Sequence, residues 1–499
     1  MKNLYGPGRP LNQRAVFSLF LGGILSCIIL WLIVSGMKVP IFLSLVGLVF
    51  VAVYFGINFE KTYIPLILVI ALPLGLFITA IPNLKASEVV IPGLFFMLVV
   101  RTMVSRSSGG EGRVIPLCVI VFFLLGFASY LRHPSLPTQV FARTVDLGNF
   151  RRYWTFFMGF MSYLLAYYLF RRDRERKELF LVKLLLWVYV GGILLHLTMS
   201  YLRIEALSGF LLVDWGPAPE GDPSGGIVFR GWTFGWYGLH LFLILTAFPG
   251  FPKKKLIKGL LFLLALLCVI LSGARAVLLA VSCSAILVCV LRKKFFRLVF
   301  PLAAVTAILV VSYSFPQVIN TLPPASRRIF TIFPSSRIYG HREATTSALA
   351  RLAWWREAFT IISRNPYRGI GFEKVGRRAI YLDYSEYAVR IGASHSAYIA
   401  TGVMLGLPGM AVLLWLFILH LRRSILLTTR SPEGPSRNFK LWLACVLFSY
   451  NIIFFFAGSP QNLFPYLFYA GLVNLNWLEQ PETAGERSLI GPPVGEGDE

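Results

Sequence analysis

Ala393-Ser-His-Ser-Ala-Tyr-Ile-Ala-Thr-Gly-Val-Met-Leu-Gly-Leu-Pro-Gly409 places a lone histidine, His395, where a long polar segment stops and an apolar run begins. Upstream lie about eighty residues dense in arginine. Downstream, Ile399 to Leu419 are long enough to cross a hydrocarbon core of about 30 Å. The junction reads as the lip of a site at a membrane surface, and the other apolar runs read as its scaffold.

Composition supports that reading. Of 499 residues, 56% are hydrophobic and only 14% charged, whereas soluble domains carry about 25% charged residues. The chain is therefore expected to be an all-α polytopic membrane protein. Its formal net charge of +25 has to be divided between the two sides of a membrane before it implies a partner. Nothing in it resembles a nucleic-acid module, so membrane lipids rather than nucleic acid are the expected surroundings. The six cysteines (Cys27, Cys118, Cys268, Cys283, Cys289 and Cys445) sit inside apolar runs, which indicates neither a disulfide framework nor a zinc knuckle. The basic N-terminus leads into a full-length run without a clear cleavage site and predicts a retained first helix.

Apolar runs fall near 15–36, 39–57, 63–81, 87–104, 114–131, 153–170, 179–201, 231–249, 256–273, 275–291, 296–315, 394–420, 438–457 and 461–478. The second and last are the weakest, so about 12–14 spans are expected. Basic clusters alternate with them. Arg171, Arg172, Arg174, Arg176 and Lys177, then Lys253 to Lys255, then Arg292 to Lys294, then Arg422, Arg423, Arg430 and Arg437 fall on one side, which marks it as cytoplasmic. This frame predicts both termini inside and the long connections near 132–152, 202–230 and 316–393 on the periplasmic side.

The predicted division is a transmembrane bundle at 1–315, a large loop at 316–393, C-terminal transmembrane helices at 394–478, and a disordered tail at 479–499. Within the loop, Leu349, Leu352, Trp355, Phe359 and Ile362 recur at helical spacing and Asn365-Pro366 ends the pattern, which predicts an amphipathic helix near 347–364. That loop carries twelve Arg or Lys residues against five acids, among them Arg351, Arg356 and Arg368. Arginine's planar fork suits bidentate binding of phosphate, and anionic lipid headgroups would engage the same side chains. Arg275, in the short turn Ser272-Gly-Ala-Arg275 between two runs, and Arg230, heading another run, are further candidates. His395 stands apart from the other five histidines because Ser394 and Ser396 flank it at a predicted helix start. No carboxylate or histidine spacing suggests a metal, and no cofactor is indicated.

Taken together, Arg230-Gly, Ser272-Gly-Ala-Arg275, Arg351-Leu-Ala-Trp-Trp-Arg-Glu-Ala-Phe359, Asn365-Pro-Tyr-Arg-Gly-Ile-Gly371, His395-Ser-Ala-Tyr398 and Gly406-Leu-Pro-Gly409 resemble the O-antigen ligase and polymerase superfamily of bacterial envelopes over roughly residues 225–420. The resemblance implies a GT-C-like multi-span fold in the bacterial inner membrane, with one large structured periplasmic loop. It also implies transfer of a glycan from an undecaprenyl diphosphate-linked donor to an acceptor hydroxyl, without a metal and with inversion. On this pattern His395 and Arg275 are the expected catalytic residues, and Arg351, Arg230, Arg356, Arg368, Ser396 and Tyr398 the expected substrate-binding ones. Ser396 stands where the family often has Asn, which leaves three acceptors open: a lipid A core (the O-antigen ligase reaction), another repeat unit (polymerase), or a protein hydroxyl (O-oligosaccharyltransferase). A transporter of lipid-linked glycan is the reading from a different class. It would be expected to place an acid well inside a span, and no run shows one.

Overall fold

Long apolar runs broken by Gly, Pro and basic clusters favour helices, because a helix satisfies its own backbone where water is excluded. The computed structural model describes residues 61–71, 86–105, 115–132, 148–171, 174–202, 215–217, 227–229, 232–321, 327, 330, 341–371, 396–456 and 463–478. Among them the early helices are α1 (Tyr63–Ala71), α2 (Ala86–Ser105), α3 (Leu117–Arg132), α4 (Gly148–Phe170) and α5 (Arg174–Leu202). Next come α6 (Trp232–Ala247), α7 (Lys255–Leu271), α8 (Arg275–Leu291), α9 (Val299–Ser314) and the short α10 (Pro316–Asn320). The last are α11 (His341–Arg364), α12 (Ala397–Arg430), α13 (Pro435–Phe456) and α14 (Phe464–Leu478). The fold is helical apart from one antiparallel ribbon, β1 (Trp215–Pro217) with β2 (Ile227–Phe229), in register Trp215 with Phe229. That ribbon lies in the 202–230 connection, whose Gly- and Pro-rich middle suits a reversal better than a helix.

Among the described residues, α12 and α13 are both long and apolar enough to cross a membrane. The segments Leu117–Arg132, Phe234–Ala247 and Arg275–Leu291 are apolar but shorter. The expected runs at 15–36 and 39–57 lie outside the described residues. At 34 residues, α12 would measure about 51 Å if straight, but it is broken at Gly406, where φ is 75° and ψ is −174°.

The core is aromatic. Phe417 meets Tyr466 at a centroid distance of 4.4 Å and stacks on Phe454 at 5.9 Å, and Trp442 sits edge-on to Tyr469 at 5.5 Å. Close crossings use small residues, as apolar surroundings require: a Cβ on Gly471 of α14 would stand 2.5 Å from the carbonyl oxygen of Tyr163 in α4. Few polar groups join the interior helices. Ser284 and Ser449 share a hydrogen bond of 2.7 Å between α8 and α13, and the Ser162 hydroxyl of α4 reaches the Phe464 carbonyl of α14 at 2.8 Å.

The bundle has two chemically distinct ends. At one, the Arg292 guanidinium donates to the last carbonyl of α6, Ala247 (2.6 Å), and to Asn438 Oδ1 (3.3 Å), while Arg423 donates to Asn474 Oδ1 at 2.7 Å. Cations at helix C-termini suit the helix dipole. Arg423 and Arg430 also lie over the Trp477 ring, at 5.5 and 5.8 Å. The opposite end holds the starts of α6, α8, α12 and α14, and it is where the sequence motifs gather.

Candidate functional site

The turn between α7 and α8 is built by its own small residues. Gly273 takes φ of 62°. The Ser272 hydroxyl donates to the Val269 carbonyl (2.7 Å) and accepts from the Ala274 N–H (3.2 Å). Arg275 is thus the first residue of α8, partly buried at a helix N-terminus, where the dipole favours an anion beside the guanidinium. The start of α6 presses on this turn, since a Cβ on Gly235 would stand 2.7 Å from Ser272 Oγ. Arg230 precedes α6 in sequence and lies outside the described residues.

Helix α11 is wider than the predicted 347–364, starting at His341. Trp354, Ala358 and Ile362 form a small apolar cluster with Ile399 and Val403 of α12. Ile362 meets α12 at Gly402, where a Cβ would be 2.8 Å from Ile362 Cδ1. Trp355 meets Phe455 of α13 at 6.2 Å, and Phe455 in turn meets Tyr398 at 6.1 Å. These contacts run α11 in the same direction as the first arm of α12. One more turn along the stripe brings Arg351, partly buried, toward the start of α12. His395 immediately precedes that start in sequence and lies outside the described residues.

The remaining expected residues divide by exposure. Ser396, 1% exposed, is the residue before α12, and its carbonyl accepts from the Ala400 N–H at 3.0 Å. Tyr398 is half-buried and its hydroxyl donates to Asn451 Oδ1 at 3.3 Å. Arg356 and Arg368 are exposed and do not share the docked stripe. Two other histidines belong to the packing of the bundle. His240 is buried against Tyr189 and Trp236, each at 5.0 Å, and His420 places Nδ1 2.8 Å from the Leu416 carbonyl. Sequence reasoning passed over Asn451, Phe455 and the tight glycine contact at Gly402. The isolated Asn in Ser449-Tyr-Asn451 was the available signal for the first. Among the described residues no group of three or more His, Cys, Asp or Glu gathers.

A helical bundle with one basic, aromatic helix docked across the start of a long apolar helix defines a class: a membrane-type protein with a polar site at the bundle end. Residues 260–414 match the family model described as O-antigen ligase. That match supports a likeness of this part of the chain to the O-antigen ligase and polymerase superfamily, a family of glycosyltransferase type. The matched region begins in α7 and ends in α12, so it contains Arg275, Arg351, His395 and Tyr398 and leaves Arg230 outside. No curated protein matches the chain.

Proposed function

We propose that the protein transfers a glycan from an undecaprenyl diphosphate-linked donor to an acceptor hydroxyl at the periplasmic face of a bacterial inner membrane, with inversion and without a metal. The supporting observation is that the domain match ends on the helix against which α11 docks, with Arg351 on the docked stripe and His395 adjoining the helix start in sequence. The acceptor oxygen attacks the anomeric carbon as the bond from that carbon to the diphosphate oxygen breaks. The bond pair leaves with undecaprenyl diphosphate, and the acceptor proton passes to the His395 imidazole. Arg275, at the head of α8, and Arg351 stabilise the charge growing on the leaving group, an electrostatic contribution that is often the largest in such reactions. Arg230 adds a further phosphate contact, and Arg356 and Arg368 offer exposed cations for the polar part of the donor. Ser396 and Tyr398 line the acceptor side. An imidazole of ordinary pKa, about 6.5, is mostly neutral at pH 7, as a base requires.

The test is product analysis with purified protein and a lipid-linked glycan, with and without a lipid A core acceptor. A ligase yields product only with the acceptor, whereas a polymerase extends the donor alone. Absence of both products overturns the reading.

A further inference from the structure

Gly406-Leu-Pro-Gly409 interrupts α12, and backbone groups freed by the interruption find partners outside the helix. In a continuous helix the Leu407 N–H would go to the Val403 carbonyl, and the N–H at position 408 to the Met404 carbonyl. Pro408 has no N–H to give. The segment Asn365–Gly371, which follows α11, supplies partners for the Leu407 N–H and for both of these carbonyls. The Ile370 N–H donates to the Val403 carbonyl at 2.9 Å and the Gly371 N–H to the Met404 carbonyl at 3.0 Å. The Leu407 N–H donates to the Pro366 carbonyl at 2.7 Å.

The fit requires glycine on both sides. Gly406 has φ of 75° and ψ of −174°, a conformation open essentially to glycine alone, and a Cβ there would stand 2.6 Å from the Pro366 carbonyl oxygen. Gly369 has φ of 61°, and a Cβ on it would stand 2.5 Å from the carbonyl carbon and oxygen of Met404. These contacts are with backbone, which cannot swing aside as a side chain does. Two glycines thus face each other across a clasp that holds the end of α11 on the break of α12.

We infer that the clasp is a positioning element for the transfer site: the break at Gly406 is maintained by the 365–371 segment, and through it α11 and Arg351 are held in register with the start of α12. Unpaired backbone groups are costly where water is scarce, so loss of the segment drives α12 toward a continuous helix, and a continuous helix no longer accepts the segment. Gly369 and Gly406 are therefore positioning residues. The activity arm of this inference rests on the proposed glycan transfer; the structural arm does not.

The decisive variant is Gly406→Ala with Pro408→Ala, which favours a continuous α12 by restoring helix propensity and the missing donor. Docking is read by joining Ile362→Cys to Gly402→Cys with a short bismaleimide in a background whose native cysteines are replaced. Removing the Ile362 side chain makes room at Gly402. The clasped protein should cross-link efficiently; the double variant should remain monodisperse, lose most of the cross-link, and transfer glycan at least about tenfold more slowly, as expected when three backbone hydrogen bonds are surrendered. Gly369→Ala, on the loop side and away from the apolar run, should give the same two losses if the double variant fails to express. Wild-type cross-linking together with wild-type transfer in either variant overturns the inference, as does loss of the cross-link with transfer unchanged. If the unaltered protein cross-links, the variants do not, and no protein transfers glycan, the clasp stands and the functional reading falls.

Discussion

At the scale of single residues, the proposal assigns different work to Arg275 and His395, and substitutions separate them. Arg275→Lys keeps the charge but loses the planar fork, so transfer should fall by more than tenfold, a drop of about 1.4 kcal/mol or more in transition-state stabilisation. Donor binding should weaken in parallel. Transfer close to wild type would instead point to lipid headgroups as the partner of this arginine. His395→Ala should lower transfer by a factor of about 10² to 10⁴ while leaving donor binding intact, since a general base acts on the acceptor proton and not on the diphosphate. More than about a tenth of the normal rate in a well-expressed His395→Ala protein would remove that role. Both residues stand out in the sequence because each interrupts an apolar pattern at a place where polarity needs a reason. Asn451 was less legible: its role as acceptor for Tyr398 depends on how α12 packs against α13, which no local pattern encodes.

At the scale of elements, most helices were legible because their apolar runs are long and bounded by Gly, Pro and basic residues; α8 fills the expected 275–291 run. What the sequence hid was pairing. Asn365-Pro366 reads as a helix stop and Gly406–Gly409 lies within one apolar run, yet the fold shows that the two segments exchange hydrogen bonds. Burial of Glu178 was hidden in the same way, because the acid sits just ahead of the 179–201 run, beside basic residues that suggest an open, solvated face. In the structure it is 4% exposed and accepts from Asn476 Nδ2 of α14 at 2.8 Å, with Arg174 at 3.7 Å. Burial raises its carboxyl to about 7, outweighing the Asn476 hydrogen bond and the attraction of Arg174 and Lys440, with Glu175 adding a small push upward. A carboxyl held above its unfolded value of about 4.3 stabilises the fold while protonated, and that contribution is lost as pH rises through about 7. The detergent-solubilised protein should therefore melt at a lower temperature at pH 8.5 than at pH 5.5. Glu178→Gln, which keeps an acceptor for Asn476, should flatten the difference, and an equally steep pH dependence in that variant would assign it to other groups. The crossing of α4 and α14 gives a second check of packing. Gly471→Ala puts a Cβ against the Tyr163 carbonyl and should cost about 1 to 3 kcal/mol by overpacking, read as a lower melting temperature. An unchanged melting temperature would mean that the two helices cross less closely.

At the scale of the whole molecule, the question is which end of the bundle faces which compartment. The arginine-rich α11 and the helix starts that carry Arg275 and Ser396 gather at one end, while Arg292, Arg423 and Arg437 gather at the other. The second end holds short basic connections such as Lys253–Lys255 and Arg292–Lys294, the pattern that orients spans toward the cytoplasm, whereas a connection as long as 316–393 crosses largely regardless of its charge. On that pattern the proposal puts the site on the periplasmic side, where a lipid-linked donor and its acceptor would meet. Single cysteines carry the test, and the structure decides where they go. Ser431, beside the basic cluster, is a poor position: it is 8% exposed, its hydroxyl donates to the Leu427 carbonyl at 2.7 Å, and it accepts from Lys440 Nζ at 2.8 Å. Glu433 is better, with a side chain 93% exposed whose ion pair with Arg437 lies at the surface, so its loss costs little. In a cysteine-free background, an impermeant maleimide should label Ser335→Cys in intact cells with a permeable outer membrane, and Glu433→Cys only after the inner membrane is opened. Labelling of both positions in intact cells would break the alternation of sides on which the periplasmic placement depends. Labelling of Glu433→Cys alone would invert the molecule and put Arg275 and Arg351 in the cytoplasm, away from a donor displayed on the outer leaflet.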